Sequence, residues 1–402
     1  MTKPLKFAET ALVLALVGPV PGVHAGDTLT FGGGRLTLGG EASVSVAPED
    51  EAFFNDTGYR GNTLRLARFG LTFALRPDDH VAVLADVRSE HFESPHVYGL
   101  FLRVRPWLHR NFDVQAGVIP PVFGSFGRRQ YGVDNPLIGY PLAYQYLTIV
   151  RTDAAPRSAD DLLAQRGFGW LVQYPIGSNS YDAGVPLVHS FRWDTGVEVR
   201  LGSQPFEVSA ALTQGSLSDP EFHDDNDGKQ VSGRIAWQPA VGLTLGLSGA
   251  RGAYLDREVL RALPPELSDR DYLQTAWGLD GEYSRGHWLV RAEAVWSRWD
   301  VPTIEEPRLD GPVGAVAVMA EGRYRFAPGL YAAGRLDHLG FSRIQGSEGY
   351  LPWDVPVWRA EAGIGYSIRR DLVAKLAYQR NWRDGGPPGR RSLVAAQLLF
   401  RF

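Results

Sequence analysis

The chain is 402 residues long, 44% apolar and 21% charged, a balance that excludes a disordered polymer. A net charge of −4 argues against a dedicated nucleic-acid binder, and the absence of cysteine removes disulfides, zinc–thiolate sites, iron–sulfur clusters and cysteine nucleophiles together. Glycine is abundant at 46 residues, and aromatic residues reach 11%, with 11 tryptophans among them.

Residues 1–25 read as a secretory signal peptide. Lys3 and Lys6 precede an apolar run from Ala11 to Val23, and Val23-His24-Ala25 offers a small-residue cleavage site. The run is too short to span a bilayer, and nothing after it approaches the ~18 apolar residues a membrane helix needs. Residues 26–402 then form one unit.

From residue 35 onward the chain repeats one pattern, about ten alternating residues followed by a turn. Trp193, Thr195, Val197, Val199 and Leu201 share one face, and Arg192, Asp194, Gly196, Glu198 and Arg200 share the other. The same alternation opposes Trp288, Val290, Ala292, Ala294 and Trp296 to Arg291, Glu293 and Ser297. Successive strand side chains point to opposite faces, so this is strand periodicity. The strands predicted are 35–47, 62–76, 80–90, 96–106, 112–120, 190–201, 206–214, 230–239, 243–252, 272–284, 287–299, 313–326, 330–341, 357–368, 371–382 and 392–402. Residues 166–174 also alternate. Counting them gives an odd number and breaks the parity of turns, so they are placed inside the third loop.

A soluble sandwich alternates too. Here, however, aromatic residues such as Trp237, Trp277, Tyr283, Tyr324, Phe326 and Tyr378 sit on the apolar faces near strand ends, where a transmembrane barrel carries its girdles. Short turns also alternate with long polar loops, as outer-membrane barrels require. The expected fold is therefore all-β: a transmembrane antiparallel β-barrel of sixteen strands, closed so that no edge is left unpaired in the bilayer. A barrel of this size encloses an aqueous channel.

Loop 121–189 is too long to be a mere connection. It is also too apolar and aromatic to be comfortable as solvated chain, so it is expected to fold inward and narrow the lumen. Its candidate constriction residues are Arg128, Arg129, Tyr131, Tyr144, Arg151 and Arg166. Alternation assigns Arg68, Arg103, Arg105, Arg200, Arg291, Arg323, Arg325, Arg359, Glu198, Glu293, Glu321 and Glu361 to the lumen wall. Over all the inward positions that alternation assigns, fourteen basic candidates stand against eleven acidic ones, a small positive excess, and rings of arginine favour anions. Arg103 with Arg105, and Arg323 with Arg325, are the best placed to present exposed positive charge, because each pair shares a face two residues apart.

The chain ends Leu398-Leu399-Phe400-Arg401-Phe402. This terminus resembles the closing strand of Gram-negative outer-membrane porins, in which the final aromatic, here Phe402, is read by the barrel-insertion machinery. The resemblance implies an outer-membrane location, contact with lipid and lipopolysaccharide, an inward third loop and a homotrimer. A second resemblance rests on Leu66-Ala67-Arg68-Phe69-Gly70-Leu71 and on Gly117-Val118-Ile119-Pro120-Pro121-Val122-Phe123-Gly124, and is to the phosphate-selective porins O and P. That family relies on lumen lysines, whereas only Lys229 and Lys375 follow the signal peptide here.

The stretch Asp219–Gly228 is rich in acidic residues but fails the helical calcium-loop spacing, so it reads as a solvated outer loop. No nucleotide-binding glycine loop, metalloprotease helix or nucleophile elbow is present, so no enzyme is expected, and no cofactor or metal. The expected function is passive diffusion of small hydrophilic solutes or ions through a water-filled pore with weak anion preference. The alternatives are a channel specific for phosphate, a sugar or an aromatic acid, and a non-conducting structural barrel.

Overall fold

The computed structural model describes residues 28–56, 62–127, 132–223, 227–264 and 271–402. Residues 1–25, expected to be a signal peptide, lie outside the described residues.

Sixteen strands run in chain order: β1 (Leu36–Val46), β2 (Ala67–Leu75), β3 (Val81–Glu90), β4 (His96–Val104), β5 (Asn111–Ile119), β6 (Asp194–Ser203), β7 (Phe206–Thr213), β8 (Gln230–Ala240), β9 (Leu243–Ala253), β10 (Leu273–Arg285), β11 (Trp288–Trp299), β12 (Val313–Ala327), β13 (Leu330–Phe341), β14 (Val357–Arg369), β15 (Leu372–Arg383) and β16 (Ser392–Arg401). Each is antiparallel to the next, and β16 returns to β1 with Glu41 opposite Arg401 and Val46 opposite Ala396. The ladder is closed, as the strand count and the parity of turns required. One extra short strand, Leu29–Phe31, lies on the lower part of β1. Tight turns join the strands at one end, and the long loops gather at the other. Gly286 and Gly329 adopt φ of 61° and 75° in two of those turns, a conformation that glycine reaches without a Cβ clash.

The alternation resolves into two faces. On β6, Val197, Val199 and Leu201 are 46%, 40% and 51% exposed, while Glu198 between them is fully buried. The outward rows of the other strands are likewise apolar and exposed. Trp358 and Tyr366 are the outermost aromatics of the β14 row, roughly 26 Å apart along the strand. That spacing suits an apolar band about 25 Å tall once strand tilt is allowed for. Such a belt could not face water on a monomeric soluble protein.

Three expectations need correction. The second strand begins at Ala67, not at 62, because residues 62–65 form a turn in which Asn62 Oδ1 accepts the Leu64 N–H and the Arg65 N–H donates to the Asn62 carbonyl. The sixth begins at Asp194, not at 190. Consequently Trp193 is not part of the outward row. Its ring turns in against Tyr98 and Phe101 and occupies the place where a Cβ on Gly99 would sit. Residues 166–174, by contrast, lie in the third loop as expected and contribute no barrel strand; Val172 makes only an isolated bridge to Asp182.

The hydrophobic core lies inside the barrel. The upper inward positions of β10 to β14 are apolar, namely Ala276, Val295, Trp299, Val313, Ala315, Ala317, Leu339 and Val357. They pack with Phe123, Phe126, Tyr140, Leu142, Tyr144, Tyr146, Ile149 and Leu187 of the long third loop. The Phe123 ring lies directly on Gly278 of β10, where a Cβ would meet it at 2.9 Å.

Candidate functional site

The third loop, residues 120–193, leaves β5 and returns at β6. Two short helices, α1 (Leu142–Gln145) and α2 (Ala159–Ala164), punctuate it. Ser158 caps α2 by accepting the Asp161 N–H, which satisfies one of the donors a helix start leaves orphaned.

Segment 132–139 of this loop is held against inward-facing side chains of five strands. Glu41 on β1 accepts the Gly132 N–H at 3.0 Å, and Glu361 on β14 accepts the Gly139 N–H at 3.1 Å. Lys375 on β15 donates to the carbonyl oxygens of Gly132, Asn135 and Leu137. Arg335 on β13 donates to the Gly139 carbonyl at 3.0 and 3.1 Å, and Tyr331 donates to the Pro136 carbonyl at 3.0 Å. Arg291 on β11 reaches the Asp134 carbonyl at 3.2 Å. Irregular backbone buried against a wall must have its polar groups satisfied, and here the wall supplies the partners. Charged donors and acceptors make these bonds stronger than neutral ones.

A second tether holds the loop start. Glu293 on β11 accepts both the Ser125 N–H and the Tyr144 hydroxyl at 2.8 Å, and Ser248 on β9 accepts the Gly124 N–H at 3.0 Å. Burial and the adjacent Glu293 carboxylate push the Tyr144 hydroxyl well above its ordinary pKa, so it stays protonated and donates.

Most of the expected wall residues are already engaged. Arg68 pairs with Glu90 at 2.6 Å and also meets the Tyr140 hydroxyl. Arg359 bonds Asn381 and the carbonyls of Tyr140 and Phe54. Glu321 bridges Arg291 and Arg335 at 3.2 Å each, and Arg200 pairs with Glu198 at 2.6 Å. The open positive charge sits toward the short-turn end. Arg105 and Arg325 are exposed there, Arg103 and Arg323 half-buried, and the Arg323 guanidinium lies 5.8 Å from the centre of the Tyr331 ring.

The candidate constriction set divides. Arg128, Arg129 and Tyr131 lie outside the described residues. Tyr144 bonds the wall as above. Arg151 does not line the pore: it is buried inside the loop, pairs with Asp153 at 2.6 Å, and donates to the carbonyls of Val172 and Ser180. It is an internal staple, because its planar fork can bind several acceptors at once. Arg166 is half-buried, with its Nε unpartnered. Phe402 closes the barrel seam: its ring lies on Gly40, and its backbone exchanges two hydrogen bonds with that residue at 2.9 and 3.0 Å.

The acidic stretch after β7 is partly accounted for, since Asp219 and Glu221 pair with Arg192 at 3.3 and 3.5 Å. Residues 224–226 lie outside the described residues. Among the described residues no group of three or more His, Asp or Glu is placed to hold a metal ion.

The sequence reading overlooked Glu41 and Tyr331 as partners of the loop. It also overlooked the apolar inner face of the upper wall. A signal for that face was available, because Val313 to Ala320 is apolar throughout apart from Gly314 and does not alternate, as expected of a strand buried on both sides.

No family model matches the chain, and no curated protein does. Solved structures do. The outer-membrane protein OmpT of Vibrio cholerae, folded in vitro and in a trimer form, aligns with a TM-score of 0.51 and 12% identity, covering 91% of this chain and 99% of that one. The anion-selective porin of Comamonas acidovorans aligns with a TM-score of 0.51 and 12% identity over 91% and 98%. The outer-membrane channel DcaP of Acinetobacter baumannii aligns with a TM-score of 0.53 and 12% identity over 94% and 100%. The chain thus has the porin-type fold of bacterial outer-membrane proteins. The likeness is to such barrels in general and does not single out the phosphate-selective porins.

Proposed function

We propose that the protein is an outer-membrane channel that passes small hydrophilic solutes or ions by diffusion, with a weak preference for anions. The observation that carries this reading is the tethering of segment 132–139 to inward side chains from β1, β11, β13, β14 and β15. A loop held against one side of the lumen leaves passage on the other, and its edge sets the narrowest point. Arginines at the short-turn end bias the traffic toward anions. One barrel of this fold is an anion-selective porin, so the architecture can host that preference. No catalytic role is part of this reading. Lipid, lipopolysaccharide and the insertion machinery are its partners, with Phe402 as the assembly signal and a homotrimer as the assembled form.

A planar-bilayer recording under a KCl gradient tests the reading. An open pore with modest chloride preference supports it. A cation-selective pore keeps the channel and refutes the charge assignment. The packed aromatic core in the upper lumen favours a second reading, a narrow solute-specific channel, which saturable block of the current by one solute would support. A silent bilayer would leave a non-conducting structural barrel.

A further inference from the structure

Segments 147–153 and 181–192 of the third loop border a cavity of about 400 Å³ at the long-loop end, a size ordinary for small-molecule sites. Two buried side chains in its lining, Thr152 and His189, are each 9% exposed. The Thr152 hydroxyl and His189 Nε2 have no hydrogen-bond partner among the described residues, yet both atoms keep accessible surface. A buried polar group left unserved by the fold calls for a partner from outside it. The Phe191 N–H donates to His189 Nδ1 at 3.2 Å, so the proton of the neutral ring sits on Nε2. Burial first, and the Arg192 charge second, push the imidazole pKa down to about 3, which keeps the ring neutral. Nε2 is therefore a donor in want of an acceptor.

The charge around these atoms is mostly negative. Asp56, Asp153, Asp182, Asp219 and Asp256 line the cavity against Arg192. Asp153 is committed to Arg151, and Asp219 pairs with Arg192. Asp182 is exposed and spends one oxygen on the Ala183 N–H at 2.8 Å, which leaves the other for a ligand. Arg192 uses only Nη1 for Asp219, Glu221 and the Pro220 carbonyl, so its Nε and Nη2 remain as donors. Trp170 and Leu171 add an apolar wall.

We propose that this cavity binds a free amino acid as its zwitterion, with a cationic side chain favoured. The ligand carboxylate serves the His189 Nε2–H and Arg192, and the ammonium serves Asp182 and the Thr152 hydroxyl. The carbon chain between them lies against Trp170 and Leu171. A simple cation would leave the His189 donor unserved, and an anion would meet the acidic lining. A metal ion fits poorly, because the protonated Nε2 cannot ligate one and no three His, Asp or Glu among the described residues are grouped to hold it. The site lies at the opposite end of the barrel from the arginines that bias the pore toward anions. The inference goes beyond the channel reading and does not rest on conduction.

Isothermal titration calorimetry on the full-length protein in detergent, with lysine, glutamate and pentane-1,5-diamine as probes, tests it without requiring conductance. Lysine should bind saturably. Glutamate, and the diamine that is lysine without its carboxylate, should each bind about tenfold more weakly or worse. Asp182→Asn keeps an oxygen to accept the Ala183 N–H and removes only the charge. His189→Asn places an amide oxygen where Nδ1 accepts the Phe191 N–H and removes the Nε2 donor. Each variant should weaken lysine by about tenfold or more, with folding checked by heat-modifiable gel mobility and circular dichroism. Absence of saturable lysine binding overturns the proposal. So does lysine binding that either folded variant leaves unchanged, or binding of glutamate or the diamine as tight as that of lysine. A barrel that binds lysine without conducting refutes the channel reading alone, and a conducting barrel that binds none refutes this site alone.

Discussion

Lys375, on the penultimate strand, donates to the carbonyl oxygens of Gly132 and Asn135 at 2.6 and 2.7 Å, so one ammonium group fixes the inward segment of the third loop to the wall. Bonds to charged groups contribute about 1.5–3 kcal/mol, and the carbonyls left behind add a desolvation penalty. Lys375→Met is expected to loosen segment 132–139 while leaving the closed strand ladder intact. Single-channel recordings should show larger and noisier conductance than the parent. An unchanged trace would remove this segment from the conduction path.

Arg103 with Arg105 on one side and Arg323 with Arg325 on the other should set the ion preference, because they are the expected wall cations left open near the short-turn mouth, while Arg68, Arg335 and Arg359 are consumed by bonds. Replacing Arg105 and Arg325 by Glu reverses two exposed charges without touching a buried pair. The reversal potential should move toward cation selectivity, and more strongly at low salt, where screening is weaker. A shift absent at both salt concentrations would place the selectivity elsewhere.

The barrel was legible in the sequence because each strand must present an apolar face to lipid and keep its polar residues inward, which is a local, period-two signal. Arg68, Glu293, Glu321, Arg359 and Glu361, which the same rule assigns to the wall, are all buried. The rule could not say which of them would be used up. That depends on where the third loop docks, and docking is a tertiary contact between segments far apart in the chain, such as Tyr144 with Glu293. Arg151 shows the limit from the other side. Its charge and position in the loop suggested the pore, yet the nearest acceptors, Asp153 and the carbonyls of Val172 and Ser180, lie within the loop itself. Trp193 escaped the strand rule because it precedes the first paired residue of β6, where alternation no longer dictates direction.

Trp299 should anchor the loop-filled half of the lumen. It is fully buried, meets Trp353 edge-on with centroids 6.0 Å apart, and belongs to the cluster that includes Phe126 and Tyr144. Trp299→Ala removes one of the largest buried side chains, at a cost of about 3–5 kcal/mol. Since the strand ladder does not depend on this ring, the expected loss is in the loop: near-ultraviolet circular dichroism should diminish and trypsin should cut within 121–189 more readily, while far-ultraviolet signal persists. Equal loss of both signals would mean that loop and barrel unfold as one unit.

Asp354 should make the docking of the third loop dependent on pH. Its Oδ1 accepts the Gly167 N–H and the Val355 N–H at 2.7 Å, while Oδ2 is buried with no partner. Burial raises its pKa from 3.8 to about 6. The folded state therefore holds the proton more tightly than the unfolded chain does, and stability falls as pH rises from about 4 to about 6, then stays lower. The difference is at most roughly 3 kcal/mol. Asp354→Asn keeps the oxygen that accepts from Gly167 and cannot ionise, so its thermal midpoint should vary less between pH 4 and 8 and should match or exceed the parent at pH 8. Trypsin at pH 8 should then cleave after Arg166 more slowly in the variant, because the backbone there is no longer docked against a buried charge. A variant that is less stable than the parent at pH 8, or cut faster, would show that the ionised carboxylate is what holds Gly167 in place.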